Sequence, residues 1–424
     1  MSSWGHVAAK TANLEAPGPT PGSGESLEVR ILKTGDDLLK ALGAALKAMP
    51  ERGDGPQALA ARLQIDKVLA SRMLKALRAA DPISAVHRMP GPEPLRRVLR
   101  AMSDCGVSEP IVRRASDAVD RYDRLIRQDI GDRSSLDAIV SAWVPDARRE
   151  FELRRKQAAF RAISQLKGSE AAAILATVLL HPSADGTHLD VVWLNGLFGL
   201  QRLRPGAGVK LATRRMDRDP AQRAPTALDG TSVDDPHAMM LREFCSSPLP
   251  ALNVQRTGPV VHYSLASESF GPGSGVDLVF AEVNRAEINR YATADPTRKG
   301  YVFAETSVAA GVLQFDALLH EDVFPGSNAA LRIYDTALEG VANVNDRSRD
   351  IDQLDLMESV EPLGLGMSRF RSADVPRYSE LLRTVCDAMS WDERRFRGYR
   401  CRINYPVYGS QVAMMFDLPR APGA

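Results

Sequence analysis

Side chains that can bond phosphates and base edges recur at helical spacing between Asp66 and Ala80. One face of this segment is apolar, and the opposite face carries Lys67, Ser71, Arg72, Lys75 and Arg78. Ammonium, guanidinium and hydroxyl groups donate hydrogen bonds to phosphate oxygens and to the acceptor edge of guanine. The major groove of duplex DNA is wide enough to admit a helix, so this pattern predicts a helix that binds DNA.

A shorter helix is predicted immediately before this one. Pro56 suits its first position, where a missing N–H costs nothing. Its apolar face consists of Leu59, Ala60 and Leu63. The chain then turns at Gln64 and Ile65, and Asp66 can cap the second helix. The inner stripe of the second helix is predicted to contain Val68, Leu69, Met73, Leu74 and Leu77.

The order Leu59, Ala60, Leu63, Ile65 and Met73 resembles the helix-turn-helix of bacterial transcriptional regulators, over residues 36–80. Ala60 is the small residue that lets the two helices cross closely. The family often has glycine at the turn, where a positive φ is easiest, and this sequence has Gln64 there. The resemblance implies a recognition helix over residues 66–80 and a homodimer that spaces two such helices about one duplex turn apart. A Leu- and Ala-rich helical hairpin with a solvated cationic face would show the same pattern, so a packing unit is the alternative.

Two flanking segments complete the predicted DNA-binding domain. Residues 36–49 have leucines at helical spacing and open with two acidic residues, which predicts a supporting helix. Residues 81–94 alternate β-branched and polar residues between proline-bearing turns, which predicts either the wing of a winged helix or an ordinary loop. At the tip of a wing, His87 and Arg88 would contact the minor groove or a phosphate.

Charge is distributed unevenly along the 424 residues, although the formal net charge is only +1. Residues 28–100 contain 14 Lys and Arg against 8 Asp and Glu, a balance of 14 − 8 = +6. From residue 260 to the last residue the counts are 17 and 23, a balance of 17 − 23 = −6. The N-terminal part is therefore suited to a polyanion, which the C-terminal part would repel.

The length favours two or three domains, and a hydrophobic fraction of 44% is that of a globular protein. The predicted organisation is a flexible tail at 1–27, a helix-turn-helix DNA-binding domain at 28–92, a helical extension at 93–180 and a β-rich α+β region at 181–424. The fold class is therefore α+β and multidomain. Within the extension, residues 148–167 are dense in Arg and Lys. A solvated helix face is favoured there over a second DNA patch or a dimer-forming helix.

Alternating apolar segments separated by turn residues predict the strands of the C-terminal region. They lie at residues 187–203, 260–266, 275–283, 301–308, 310–320, 331–335, 399–407 and 411–418, with one amphipathic helix at 376–389. Residues 216–238 are polar and contain prolines, which predicts a long exposed loop or a linker.

No spacing typical of a metal or cofactor site occurs in the sequence. The four cysteines form no CxxC pair and the histidines form no HxxxH or HxH pair, so no metal is expected. The acidic run at 345–355 contains two arginines that would repel a cation, which favours a salt-bridged loop. The sequence contains neither GxSxG nor GxxxxGK[ST], so we expect no cofactor and no enzymatic activity.

Reduced cysteines indicate the cytoplasm, and the longest apolar run, residues 171–180, is too short to span a bilayer. The expected partners are double-stranded DNA and a second copy of the chain, with no membrane. A small-molecule effector pocket, or ordinary core packing, could use the aromatic residues Tyr291, Tyr301, Phe303, Phe315, Tyr399, Tyr405 and Tyr408. Two other classes stay open: an enzyme in which Asp316 or Glu321 meets a histidine, and a structural or assembly protein with exposed apolar strand edges.

Overall fold

A computed structural model describes residues 25–50, 55–215, 224–233, 236–258, 260–266, 269–292, 295 and 297–421. Most of the predicted tail at 1–27 lies outside the described residues. The chain divides into two compact units, Met1–Arg148 and Arg149–Ala424. The N-terminal unit is helical and the C-terminal unit is rich in strands, which confirms the α+β class.

The N-terminal unit is helical, and the last of its helices continues past the boundary at Arg148. They are α1 (Leu27–Lys47), α2 (Gly55–Leu63), α3 (Lys67–Leu77), α4 (Pro82–Arg88), α5 (Pro92–Asp104), α6 (Glu109–Arg124), a π-helical segment (Leu125–Ile130), α7 (Arg133–Ser141) and α8 (Pro145–Lys167). The apolar faces of α1 to α7 and of the π-helical segment form one core, in which α1 packs against α4 and α6. None of the helices in the part of the chain that the structure describes is both long and apolar enough to cross a membrane.

The supporting helix α1 begins nine residues before the predicted start at Asp36. The side chain of Ser26 caps it by accepting a hydrogen bond from the backbone N–H of Val29 (3.4 Å). Ile31 and Thr34 extend the buried stripe towards this end. The acidic pair was therefore not the helix start, because an earlier cap and an earlier apolar residue were both present.

The turn between α2 and α3 places a residue other than glycine in the left-handed region. Gln64 has a φ of 52°, in the left-handed region. The backbone N–H of Ile65 donates to the carbonyl of Ala60 (3.0 Å), and the N–H of Gln64 donates to that of Ala61 (3.4 Å). This pair of bonds is a Schellman motif, which ends a helix and usually uses glycine at the left-handed position.

Gln64→Gly should therefore stabilise the N-terminal unit by about 0.5–1 kcal/mol, because glycine adopts a positive φ without a Cβ penalty. Gln57→Gly is the matched control, since Gln57 is exposed within α2. There glycine should destabilise by about 0.5–1 kcal/mol, through lost helix propensity. Thermal unfolding of the two variants checks the prediction, and shifts of the same sign would contradict it.

Residues 81–94 form neither a wing nor an ordinary loop, because α4 occupies Pro82–Arg88. Asp81 caps this helix: its carboxylate accepts hydrogen bonds from the backbone N–H of Ser84 (2.8 Å) and from its hydroxyl (2.7 Å). These bonds lower the pKa of Asp81. Pro82 lies in the first turn of α4, where a backbone N–H has no partner within the helix, so the missing N–H of proline costs no hydrogen bond. Asp81 and Pro82 were local signals of a helix start, but the alternation of residue types favoured a wing or a loop instead.

The end of α4 is held by a residue 46 positions further along the chain. The guanidinium of Arg133 donates to the carbonyls of His87 (2.6 Å) and Met89 (2.9 Å), and to the buried hydroxyl of Tyr122. Carbonyls at a helix C-terminus lack partners within the helix, so a cation there satisfies them. This contact stabilises α4 as a helix and could not be inferred from residues 81–94.

The helical extension ends at Lys167, and residues 169–180, predicted to be helical, belong to a strand. This strand, β1 (Ser169–Pro182), pairs with β2 (His188–Arg202) on one side and with β8 (Ala310–His320) on the other, and is buried along most of its length. A continuous apolar run suits a strand that is covered on both faces, and periodicity alone does not distinguish it from a buried helix.

The described residues contain eleven further strands, of which eight were predicted and three, at residues 210–215, 252–257 and 361–365, were not. They are β2 (His188–Arg202), β3 (Lys210–Arg215), β4 (Leu252–Thr257), β5 (Val260–Leu265), β6 (Val276–Asn289), β7 (Lys299–Glu305), β8 (Ala310–His320), β9 (Ala330–Asp335), β10 (Glu361–Leu365), β11 (Phe396–Asn404) and β12 (Ser410–Asp417). The predicted loop at 216–238 is only partly described. Within it Ala227 and Val233 are buried and the backbone N–H of Thr226 donates to the carbonyl of Val283 (3.0 Å), whereas residues 229–232 are exposed, so the described part is only partly exposed.

Strands β10-β11-β8-β1-β2-β6 form the central sheet, in which β1 and β8 are parallel and the other neighbours antiparallel. Two three-stranded sheets have the orders β7-β12-β9 and β3-β5-β4. Helix α9 (Tyr378–Met389), predicted at 376–389, packs on one face of the central sheet through Leu381, Leu382 and Val385. A separate core with Phe315 and Phe416 joins the central sheet to the smaller sheets.

Candidate nucleic-acid interface

The helix pair α2–α3 positions the predicted DNA-binding face. Asp66 caps α3, since its carboxylate accepts hydrogen bonds from the backbone N–H groups of Val68 (2.7 Å) and Leu69 (3.3 Å). Ala60 is buried, as expected for the small residue of α2. On α3 the buried side chains are Ala70, Met73, Leu74 and Ala76. Because these residues fix one side of α3 against the core, the opposite side is turned outward.

The outward side of α3 is cationic. Lys67, Arg72, Lys75 and Arg78 are exposed, and Ser71 between them is half-buried. Within the described ranges, none of these four cations has a carboxylate at ion-pair distance. By contrast, Arg96, Arg121 and Arg127 are each paired with an aspartate. The charge on α3 is therefore not neutralised by neighbouring side chains that the structure describes.

Val68 does not belong to the inner stripe, where the sequence placed it. Its side chain is 65% exposed, whereas Leu69 is half-buried and Ala70 is fully buried. Successive helical residues are about 100° apart, so a residue two positions from Ala70 lies on nearly the opposite side. Ala70 faces the core, and Val68 consequently shares the outward side with the cations.

His87 and Arg88 lie in the last turn of α4 and not at the tip of a wing. Arg88 is exposed, and its charge contributes to the lowered pKa of Asp81, after the hydrogen bonds from Ser84. His87 is half-buried, and its carbonyl accepts the bond from Arg133. Helix α4 packs against α3, so the seven predicted residues occupy two neighbouring helices. The minor-groove contact expected of a wing is not supported by this arrangement.

The C-terminal unit contains a buried polar network around Asp316. Its carboxylate, fully buried, accepts hydrogen bonds from Nε (2.8 Å) and Nη2 (2.7 Å) of Arg400, from the hydroxyl of Tyr378 (2.5 Å) and from the amide of Gln314 (3.0 Å). Burial raises the pKa of Tyr378 well above its ordinary value. Asp316 thus meets an arginine and a tyrosine and not the histidine that the enzyme alternative requires.

Two histidines meet where the parallel strands β1 and β8 end. The rings of His181 and His320 have centroids 4.6 Å apart, and His181 stacks on Trp391 at 4.7 Å. Burial lowers the pKa of both imidazoles, and the charge of His181 lowers that of His320 further. Among the described residues, no three His, Cys, Asp or Glu side chains are placed to hold a metal ion. Glu321 pairs with Arg395.

The acidic run at 345–355 is a salt-bridged loop. Arg349 is buried and donates to the carboxylate of Asp352 (2.6 Å) and to the carbonyls of Gly340 (2.9 Å) and Val341 (3.3 Å). Asp350, in the same run, pairs with Arg332 (3.2 Å), so two of the aspartates are bonded to arginines of the chain itself.

The aromatic residues considered for an effector pocket are distributed among other roles. Phe315 and Tyr399 belong to the core, and Tyr405 lies against Phe160. A cavity of about 510 Å³ beside α9 is lined instead by polar residues, among them Arg371, Ser379 and Arg383. None of the seven aromatic residues lines it.

No protein-family model matches the chain, and no curated protein matches it. Among solved structures, an M1 zinc metallopeptidase from Deinococcus radiodurans and a mutant of the same enzyme are similar, with 10% identity and a TM-score of 0.21. The similarity covers 58% of this chain and 42% of the peptidase chain. A TM-score this low carries no conclusion about fold or activity.

Proposed function

We propose that the protein is a cytoplasmic transcriptional regulator whose N-terminal unit binds double-stranded DNA with α3 in the major groove. The observation that carries the proposal is the outward side of α3, where four exposed cations have no acidic partner among the described residues. Some cations of this unit are neutralised within the fold, as Arg96 is by Asp120 and Asp123, whereas others, such as Arg97 and Arg113, are exposed without such a partner among the described residues. What distinguishes α3 is that its unneutralised cations share the outward side of one helix, where they are available to an external polyanion.

The dimensions of α3 are suited to the major groove. From Lys67 to Arg78 the helix rises by about 16 Å, at 1.5 Å per residue. The groove is about 12 Å wide and accepts a helix with its side chains. Cations spread along this length can reach phosphates on both walls of the groove, while Ser71 between them faces the base edges. Phosphate contacts would position the helix and base contacts would supply sequence preference.

A second copy of the chain and a ligand-responsive C-terminal unit complete the proposal. One short helix reads few base pairs, and a two-fold pair of helices spaced by about one duplex turn reads more. The C-terminal unit would supply dimerisation or effector binding, and the negative balance of charge over residues 260–424 favours a role of that part away from DNA. We also propose that Asp316 has a structural role, because its buried carboxylate is bonded by Arg400, Tyr378 and Gln314.

The double substitution Arg72→Ala and Lys75→Ala tests the proposal. Binding to mixed-sequence duplex DNA should weaken by roughly tenfold at low salt, because each lost phosphate contact removes counterion release. The slope of log K against log[salt] should become shallower by about one to two for the same reason. Fluorescence anisotropy over a salt series measures both quantities.

A matched control removes two cations from another surface. Arg121→Ala and Arg127→Ala lower the net charge equally, but these residues are paired with Asp37 and Asp123. This variant should keep the affinity of the wild type to within about twofold, since surface pairs contribute little. Equal affinity and equal salt slope for the α3 variant and the wild type would rule out α3 as the DNA-binding element.

A further inference from the structure

The outward stripe of α3 has an apolar member. Val68, Ser71, Arg72 and Lys75 stand at positions i, i+3, i+4 and i+7, which lie on one side of a helix. In the described part of residues 55–92, Val68 is the one large apolar side chain left exposed, and no neighbouring helix covers its isopropyl group. An apolar group thus stands among hydrogen-bond donors, on the side proposed to face DNA.

The position and shape of Val68 restrict what it can contact. It lies in the first turn of α3, and the N-terminal residues of a recognition helix approach the base edges. A β-branched side chain in a helix has essentially one χ1 rotamer, so its methyl groups are presented at little entropic cost. Against the polar edge of guanine, adenine or cytosine it would leave donors or acceptors unpaired, which is unfavourable.

Thymine is the base whose major-groove edge offers an apolar group, its C5-methyl. We propose that Val68 contacts the C5-methyl group of a thymine in the major groove and thereby contributes to sequence preference. This inference rests on the proposed function, since it requires α3 to enter the groove. It goes beyond that function by assigning one base type to one side chain.

The test compares thymine with deoxyuridine, which lacks only the methyl group. A duplex selected by the wild type from a random pool is resynthesised with each thymine replaced in turn by deoxyuridine. At one thymine position, the replacement should weaken wild-type binding by about fourfold, the value of one buried methyl group. Val68→Ala should bind the two duplexes equally, and as an exposed substitution to a good helix former it should leave the fold intact.

Lys75→Ala serves as the control, because it should weaken binding to both duplexes and keep their ratio. Three outcomes would overturn the inference: no thymine position at which the wild type distinguishes the two bases, a Val68→Ala variant that keeps the wild-type ratio, or a Lys75→Ala variant that loses it. A wild type that selects no duplex from the pool would overturn the proposed function itself, and this result is visible before any thymine is replaced.

Discussion

Asp316→Asn is expected to destabilise the C-terminal unit by about 3–5 kcal/mol, because it leaves a buried guanidinium without its counter-charge. Asp316 is fully buried and the side chain of Arg400 is only 12% exposed. Burial opposes the charge of Arg400, but the hydrogen bonds and charge of Asp316 raise its pKa overall. An asparagine has one acceptor oxygen and no negative charge. It therefore cannot replace the carboxylate that accepts two hydrogen bonds from Arg400 and one from the Tyr378 hydroxyl.

The network also joins elements that are distant in the chain. Asp316 lies on β8, Arg400 on β11 and Tyr378 on α9, and the hydroxyl of Thr177 on β1 is 3.1 Å from that of Tyr378. Disruption of Asp316 should therefore loosen α9 from the central sheet as well as weaken the sheet. Tyr378 would lose an acceptor in a fully buried position, which adds to the cost.

Urea unfolding measured by the fluorescence of Trp193 and Trp391, both in the C-terminal unit, gives the loss in free energy. Asp322→Asn provides the control, because the same chemical change is made in an exposed pair with Arg395, 52% and 46% exposed. Exposed pairs contribute about 0–1 kcal/mol, so the control should unfold close to the wild type. If Asp316→Asn cost no more than the control, the network would not be a principal stabilising contact of this unit.

Gly35→Ala is expected to destabilise the N-terminal unit by about 2–3 kcal/mol, although alanine is the better helix former. Gly35 lies within α1, where α4 approaches it closely. A Cβ at this position would stand 2.3 Å from the carbonyl oxygen of Pro82 and 2.9 Å from its carbonyl carbon. These atoms are backbone, so the clash is relieved only by moving α4 away from α1.

Displacement of α4 would also disturb α3, which packs against it. We therefore expect Gly35→Ala to weaken DNA binding together with stability, whereas substitutions on the outward side of α3 affect binding alone. Thermal unfolding of the N-terminal unit, followed by the helical signal in circular dichroism, measures the stability loss.

Gly43→Ala is the control for this prediction. Gly43 also lies within α1, and a Cβ there would meet no atom within 4 Å. Alanine should stabilise that position by up to about 1 kcal/mol, through helix propensity. If Gly35→Ala lowers the stability and Gly43→Ala raises it, the close approach of α4 to Gly35 is the cause of the difference. A stabilising effect of Gly35→Ala would mean that α1 and α4 separate more easily than the structure indicates.

Local signals in the sequence were sufficient for α2, α3 and most strands. Asp66 occupies the capping position, and the apolar spacing placed both helices correctly. Alternation and turn residues predicted β2, β5 to β9, β11 and β12. Strands β3, β4 and β10 were not predicted, and β4 and β10 are largely exposed, so they lack an alternating apolar face. The exposed cations of α3 followed from the same periodicity.

Errors arose where a residue's environment depends on distant partners. The run at 171–180 became a strand because β8 and β2 lie on either side of it. The segment at 81–94 became a helix that Arg133 holds at its end. Val68 was assigned to the core because it is apolar, yet the orientation of α3 is set by Ala70 and Met73, which fill the space against neighbouring helices.

By itself, the sequence determined the local structure: which segments are helices or strands by spacing and caps, and where positive charge accumulates. These properties depend on residues a few positions apart, which interact in any context that permits the element to form. Only the tertiary structure decided that Asp316 meets Arg400, 84 residues away, and that Val68 is exposed beside the cations. Such pairings depend on how elements pack, and a segment's own residue pattern does not specify its distant partners.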